Sequence, residues 1–209
     1  MGIIKFYTNP MSRGQIARWM LEEVGVPYEQ VLLDYGTGMK DASYLAINPM
    51  GKVPAIQHDG KVVTECAAIC AYLADAFPEA GLAPALANRA DYYRWLFFAA
   101  GPVETAVTAR AFGLEAPADK ARSVGYGSFE ATIDTLADAV SGRAFVAGDQ
   151  FSAADVYVGA QIDWGLQFGT IPTRPEFETY VAGLRARPAY IRAKMIDAEL
   201  IAAAKAAGS

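Results

Sequence analysis

Asn48-Pro49-Met50-Gly51-Lys52-Val53-Pro54-Ala55-Ile56-Gln57-His58-Asp59-Gly60-Lys61-Val62-Val63-Thr64-Glu65-Cys66 holds a loop, a hairpin and a helix start in succession. Asn, Pro and Gly crowd its opening positions and mark a turn. Val53 to Gln57 and Lys61 to Val63 are short β-prone runs, and Asp59-Gly60 between them is a hairpin turn. His58 falls at that turn and is expected to be exposed. After Thr64 the period changes: Ile69, Tyr72, Leu73 and Phe77 lie on one side of a helix.

Upstream, Ile3 to Tyr7 reads as a strand ended by Thr8-Asn9-Pro10. Ile16, Trp19, Met20 and Val24 then mark an amphipathic helix stopped by Gly25 and Pro27. Tyr28 to Leu33 is a second strand, and a short helix is expected near Asp41 to Leu45. The order β-α-β-α-β-β-α implies a mixed sheet whose parallel pair is made by a crossover. Downstream of Ala83 every pattern is helical. Ala85 to Arg110 reads as one long amphipathic run, and Phe129, Ile133, Leu136 and Val140 share a face. Phe151-Ser152-Ala153-Ala154-Asp155-Val156 opens a helix with Ser152 as N-cap and Asp155 three residues on. Phe177, Tyr180, Val181 and Leu184 mark another, and Pro188 opens a last, Ala-rich one. The expected architecture is an α/β domain over residues 1–83 followed by an all-α domain over residues 84–209.

Composition narrows the function classes. The 209 residues are 53% hydrophobic and 20% charged, a profile that buries a core without disulfide or metal staples. Lys and Arg number 18 against 23 Asp and Glu, a formal charge of −5 that repels phosphate backbones, so no nucleic-acid partner is expected. No apolar run approaches the roughly 20 residues of a membrane span, and the N-terminal run is too short for a signal-peptide core. No membrane partner is expected, and the chain reads as cytoplasmic. One histidine, His58, and two cysteines, Cys66 and Cys70, fall short of the four ligands a structural zinc needs, so no metal is expected. Cys66 and Cys70 stand four apart on a helix and share a face, with Cys70 the simpler core filler.

Three segments of the first domain carry possible chemistry. In Asn9-Pro10-Met11-Ser12-Arg13-Gly14, Ser12 stands where a helix begins. A small hydroxyl there is ordinarily an N-cap, yet the same position favours an anion, because unpaired N–H groups and the helix dipole point at it. In Lys52-Val53-Pro54 the proline is ordinarily a strand-boundary marker. A cis Val53-Pro54 bond would instead leave the Val53 backbone free to pair with an extended ligand. Glu65, at the next helix start, is either a dipole-complementing acid or the counter-ion of a ligand amine.

Taken together, in this order and spacing, the Asn-Pro-Met-Gly-Lys-Val-Pro loop, the Thr-Glu-Cys helix start and the Phe-Ser-Ala-Ala-Asp box resemble the cytosolic glutathione transferase family in its bacterial-type form. The resemblance covers the whole chain and implies a thioredoxin-like first domain, an all-helical second one, and glutathione as co-substrate. It implies that Ser12, or failing it Tyr7, holds the glutathione sulfur as thiolate. It implies that the Val53 backbone, with Pro54 in cis, meets the cysteinyl unit, and that Glu65 and Cys66 hold the γ-glutamyl end. Lys40 and Lys52 are candidates for the glycine carboxylate, with Lys52 preferred because it lies in the loop. The family usually has Ser at the Cys66 position, and a thiol is the poorer donor. Met11, Arg13, Tyr92, Trp95, Phe98 and Trp164 are candidates for the electrophile pocket, although a packing role fits most of the aromatic ones.

The implied function is a transferase of the detoxification type. It attacks small hydrophobic electrophiles with the glutathione thiolate, with reduction of organic hydroperoxides as a further activity. A glutathione-dependent isomerase or dehalogenase, or a non-catalytic ligand-binding relative, are the alternatives. With Pro10-Met11-Ser12-Arg13 where dithiol oxidoreductases carry Cys-x-x-Cys, hydroxyl-assisted chemistry is favoured over mixed disulfides. The family is usually homodimeric, so a homodimer is expected, with the first domain of one subunit against the helical domain of the other and the helix from Ala85 and the Cys66 helix as candidates for the interface.

Overall fold

Four strands run in the order β2-β1-β3-β4 in a computed structural model that describes residues 2–207. β1 (Ile4–Thr8) pairs parallel with β2 (Tyr28–Leu32). β3 (Ala55–His58) pairs antiparallel with both β1 and β4 (Lys61–Thr64). Helix α1 (Gly14–Val24) makes the crossover between the parallel strands. It ends at Gly25, whose φ of 75° is a conformation glycine adopts without penalty and whose N–H closes on Leu21 O. A short helix, α2 (Ala42–Leu45), is capped by the Asp41 carboxylate, and α3 (Cys66–Ala76) comes after the hairpin.

Strand alternation sorts the two faces of the sheet. Tyr7 stands opposite Ala55 and packs with Met39 and Tyr44 on one face. Phe6 stands opposite Ile56 on the other, where the Arg18 guanidinium of α1 lies 5.3 Å from the Phe6 ring centre. The register Tyr7–Ala55–Thr64 also fixes which ends coincide. The chain leaves β1, enters β3 and leaves β4 at one end of the sheet, so the serine turn, the Val53-Pro54 loop and the Glu65 helix start emerge side by side.

His58 departs from the expectation. The hairpin turn is only Asp59-Gly60, with φ of 48° and 75°, so His58 still belongs to the strand and pairs with Lys61. Its ring points inward, 4% exposed, with Nδ1 2.9 Å from the Tyr72 hydroxyl and a stacked contact on Phe77.

The chain divides into two compact units: residues through Gly81 together with those from Arg187 on, and Leu82–Ala186. The expected boundary at 83/84 lies close to this division, but the last helix, α9 (Pro188–Ala207), groups with the α/β unit rather than with the helical one. The reason is a set of polar contacts along α1. Arg18, fully buried, donates to Asp197 Oδ1 at 2.9 Å and to the Tyr28 hydroxyl at 3.1 Å. Arg187 makes a two-pronged pair with Glu23 at 2.7 and 2.8 Å, and Tyr190 stands edge-on to Trp19. Removing either partner of a buried pair such as Arg18–Asp197 costs about 3–5 kcal/mol, because the other charge is left uncompensated.

The second unit holds α4 (Ala90–Phe98), α5 (Glu104–Ala111), α6 (Phe129–Val140), α7 (Ala153–Phe168) and α8 (Pro175–Arg185). The long run expected from Ala85 begins as a 3₁₀ turn at Leu86–Asn88 and is interrupted at Ala99–Val103 by a π-helical segment. Pro102 lies inside that segment, has no N–H to donate and cannot sit in a regular α register. Central to this unit is α7, enclosed along most of its length. The Asp155 carboxylate near its start accepts from the Ser152 N–H and hydroxyl, the Val146 N–H and the Tyr180 hydroxyl, all within 3.1 Å. Burial nevertheless raises its pKa. The pair is a folding element, as its place in the helix start implies. Among the described residues no helix is long and apolar enough to cross a membrane.

Candidate active site

The turn after β1 is built by Asn9. Its Oδ1 accepts the Met11 N–H at 2.9 Å, its Nδ2 donates to Leu33 O at 2.8 Å, and its carbonyl accepts the Ser12 N–H at 3.0 Å. Ser12 is 8% exposed, and its Oγ accepts the Gly14 N–H at 2.9 Å while its proton goes to Asn9 O at 2.7 Å. The hydroxyl therefore does what an N-cap does and sits where the first turn of α1 begins. Gly14 is required by space: a Cβ there would stand 2.0 Å from Thr8 Oγ1.

The same device recurs in the second loop. Asn48 Oδ1 accepts the Met50 N–H at 3.1 Å, and Asn48 Nδ2 donates to Lys52 O at 2.8 Å. Tyr44 donates its hydroxyl to the same carbonyl. Burial raises the Tyr44 pKa above the ordinary phenol value. Gly51 has φ of 58°, and a Cβ on it would meet Met39 O at 2.7 Å. Lys40 reaches across to Gly51 O at 3.0 Å, so its ammonium is engaged in holding the loop. Lys52 is exposed, and its ammonium pairs with none of the described residues. The Val53–Pro54 bond is cis, and the Val53 N–H and C=O make no hydrogen bond among the described residues. Unpaired backbone on a half-buried segment is unusual and is available to an extended ligand.

At the third segment Glu65 holds φ 64° and ψ 120°, a region costly to any residue but glycine, with its side chain exposed. Strain of about 1–3 kcal/mol persists only where surrounding structure enforces it, and such residues gather at functional sites. Cys66 is buried at the start of α3 and its thiol donates to Arg13 O at 3.4 Å, which ties this helix start to the serine turn. Cys70 lies in the core, where burial pushes its thiol well above the ordinary cysteine value.

Ser12, Val53, Pro54, Glu65, Cys66 and Lys52 thus gather at one end of the sheet, whereas Lys40 serves the loop itself. Tyr7 is turned to another use: its ring packs with Met39 and Tyr44, and its hydroxyl donates to Gln57 Oε1 at 2.5 Å. Met11 and Arg13 are exposed on the serine turn. In the helical unit Tyr92 is enclosed and Trp95 nearly so, a packing role, whereas Phe98 and Trp164 are half-buried. Sequence reasoning passed over Asn9 and Asn48 as the organisers of the two loops. The repeated tripeptide Asn-Pro-Met, at 9–11 and 48–50, was the available signal.

Residues 3–75 match the family model described as "Glutathione S-transferase, N-terminal domain". Glutathione S-transferase GST-4.5 of Xanthomonas campestris pv. campestris is 29% identical over 98% of this chain and 99% of its own length. The crystal structure of a glutathione transferase from Methylococcus capsulatus, at 29% identity, covers 94% of this chain and 99% of its own with a TM-score of 0.77. A sphingomonad glutathione S-transferase complexed with glutathione, also at 29% identity, covers 93% of this chain and 98% of its own with a TM-score of 0.74. Residues 3–75 are thus similar to the N-terminal domain of the glutathione S-transferases, and the chain as a whole is similar to them in sequence and in fold.

Proposed function

We propose that the protein is a glutathione transferase that holds the glutathione sulfur as thiolate beside Ser12 and directs it at a small hydrophobic electrophile. What carries the reading is the convergence, at one end of the sheet, of a hydroxyl at a helix start, an unpaired Val53 backbone and a strained, exposed Glu65. In this reading the cysteinyl unit of the tripeptide pairs its backbone with Val53. Its γ-glutamyl end lies at Glu65 and the Cys66 helix start, and its glycine carboxylate meets the Lys52 ammonium.

Ser12 supplies the chemistry by a rotation. Its Oγ keeps the Gly14 N–H as donor while its proton swings from Asn9 O to the sulfur. A thiol with a pKa of about 8.5 is only about 3% ionised at neutral pH, and lowering that value by about two units takes roughly 2.7 kcal/mol. A charge-assisted hydroxyl bond of about 1.5–3 kcal/mol and a helix start worth about 0.3–1 kcal/mol together reach that figure. Tyr7 is the weaker candidate, because its hydroxyl is committed to Gln57 inside an apolar cluster. The thiolate attacks a carbon of the electrophile, the new C–S bond replaces the bond to the leaving group, and the leaving group departs with the electron pair.

On the serine turn, Met11 and Arg13 are exposed beside Ser12 and take the electrophile. A homodimer accords with the apolar side chains that α4 leaves uncovered, above all Phe97 at 72% exposure and Tyr93 one turn before it. The test is turnover of glutathione with a chlorodinitrobenzene-type aryl halide, with the product analysed. One mole of thioether conjugate and one of halide per glutathione consumed supports the transferase. Glutathione recovered unchanged beside an isomerised or dehalogenated product points to the alternative chemistry. Binding without turnover points to a ligand carrier.

A further inference from the structure

The serine turn is held from an element far away in sequence. Its carbonyls are taken in order: Asn9 O by Ser12, Pro10 O by the Gln15 side chain at 2.6 Å, Met11 O by Tyr35 at 3.2 Å and Ser12 O by the Gln15 N–H at 3.2 Å. Gln15 therefore grips the turn twice. Its remaining polar atom, Oε1, accepts from Lys194 Nζ of α9 at 2.9 Å. α9 lies antiparallel along α1, with Arg187 at Glu23, Tyr190 against Trp19 and Lys194 at Gln15. The Lys194 ammonium also lies over the Tyr190 ring and within electrostatic reach of Asp197.

Resting on the reading of Ser12 as the thiolate partner, we infer that Gln15 and Lys194 are positioning residues: a relay through which the last helix sets the Pro10 carbonyl and, with it, the serine turn. The amide of Gln15 is polarised from one side by an ammonium and donates from the other to a backbone carbonyl, an arrangement that strengthens each bond in the chain. A hydroxyl stabilises a developing thiolate only when it is held at the right distance and angle before the charge appears, so a turn that drifts loses thiolate stabilisation more than it loses ligand affinity. A role in stability alone would lower the melting temperature and leave the acidity of the bound thiol where it was.

The test is a pH titration of the thiolate ultraviolet absorbance of glutathione bound to the full-length protein. Four variants are compared with the parent: Gln15→Leu, Lys194→Met, the double variant and Lys194→Arg. The expected result is a midpoint higher by about half to one pH unit in each single variant and no further shift in the double one. Lys194→Arg restores the parent value, and the dissociation constant of glutathione changes less than about threefold throughout. A parent-like midpoint in both single variants overturns the relay and leaves the glutathione reading intact. Independent, additive shifts also overturn it. A parent protein that binds glutathione without any thiolate band overturns the reading of Ser12, and the relay with it. Should Gln15→Leu fold poorly, Lys194→Met, on a half-buried surface position, decides the matter alone.

Discussion

The two Asn-Pro-Met turns, at 9–11 and 48–50, are the same local device put to different ends. In both, the asparagine Oδ1 takes the methionine N–H, and Nδ2 donates to a carbonyl, Leu33 O in the first and Lys52 O in the second. The first turn opens a helix, so it presents a hydroxyl and the positive end of a dipole. The second opens a strand through a cis proline, so it presents unpaired backbone and a lysine free of partners among the described residues. On the proposed reading, one motif serves an anion site in the first case and a peptide-pairing edge in the second, and the distinction lies in whether a helix or a strand comes next in the chain. If the proposed function holds, the first turn governs the reactivity of the sulfur and the second governs the grip on the tripeptide.

Substitutions that hit one turn and spare the other test that division. Ser12→Ala, the largest expected effect, lowers kcat for an aryl halide about 100-fold with less than about threefold change in KM for glutathione, as steady-state kinetics at saturating electrophile show. Asn48→Ala does the reverse. It removes one of the two donors to Lys52 O, leaves the Met50 N–H without its acceptor, and raises KM for glutathione about tenfold, roughly 1.4 kcal/mol, with kcat held within about threefold. If the two variants shift the same constant, the division is wrong. Gly51→Ala sharpens the account of the second loop. Positive φ and the 2.7 Å approach to Met39 O together cost about 1–3 kcal/mol of stability, read as a fall in urea midpoint at unchanged slope. Tyr7→Phe is the smallest. It removes the bond to Gln57, costs about 1 kcal/mol of stability and leaves kcat within about threefold, whereas a loss as large as that of Ser12→Ala transfers the thiolate role to Tyr7.

How much of this was legible in the sequence depended on range. Features set within a few residues could be read. The Gly25 stop, the Asp59-Gly60 turn, the Ser152–Asp155 helix start and the buried stripe of α6 all come from local propensity and period. Features set by partners far along the chain could not. Arg18 in an apolar stripe gives no sign that Asp197, 179 residues on, will neutralise it, and without that pair α9 reads as one more helix of the second domain. His58 defeats a reading by turn composition, which is a statement about backbone. The direction of a side chain at a strand end is set by what packs there, here Tyr72 and Phe77. Of the site, the residues that bring side chains were visible, and so was the cis Val53-Pro54 bond, whereas the strained φ of Glu65 leaves no mark in its residue type. Nor does sequence show that one of two candidate lysines, Lys40, is already engaged with its own loop.

The central claim is that the Ser12 hydroxyl makes the sulfur of bound glutathione acidic. It is tested most directly by difference absorbance of the thiolate at neutral pH, parent protein against Ser12→Ala, with equal occupancy of the site verified by calorimetry. The expected result is a thiolate band in the parent that is lost in Ser12→Ala while glutathione remains bound. An undiminished band in Ser12→Ala would contradict it and leave the hydroxyl as a helix cap alone.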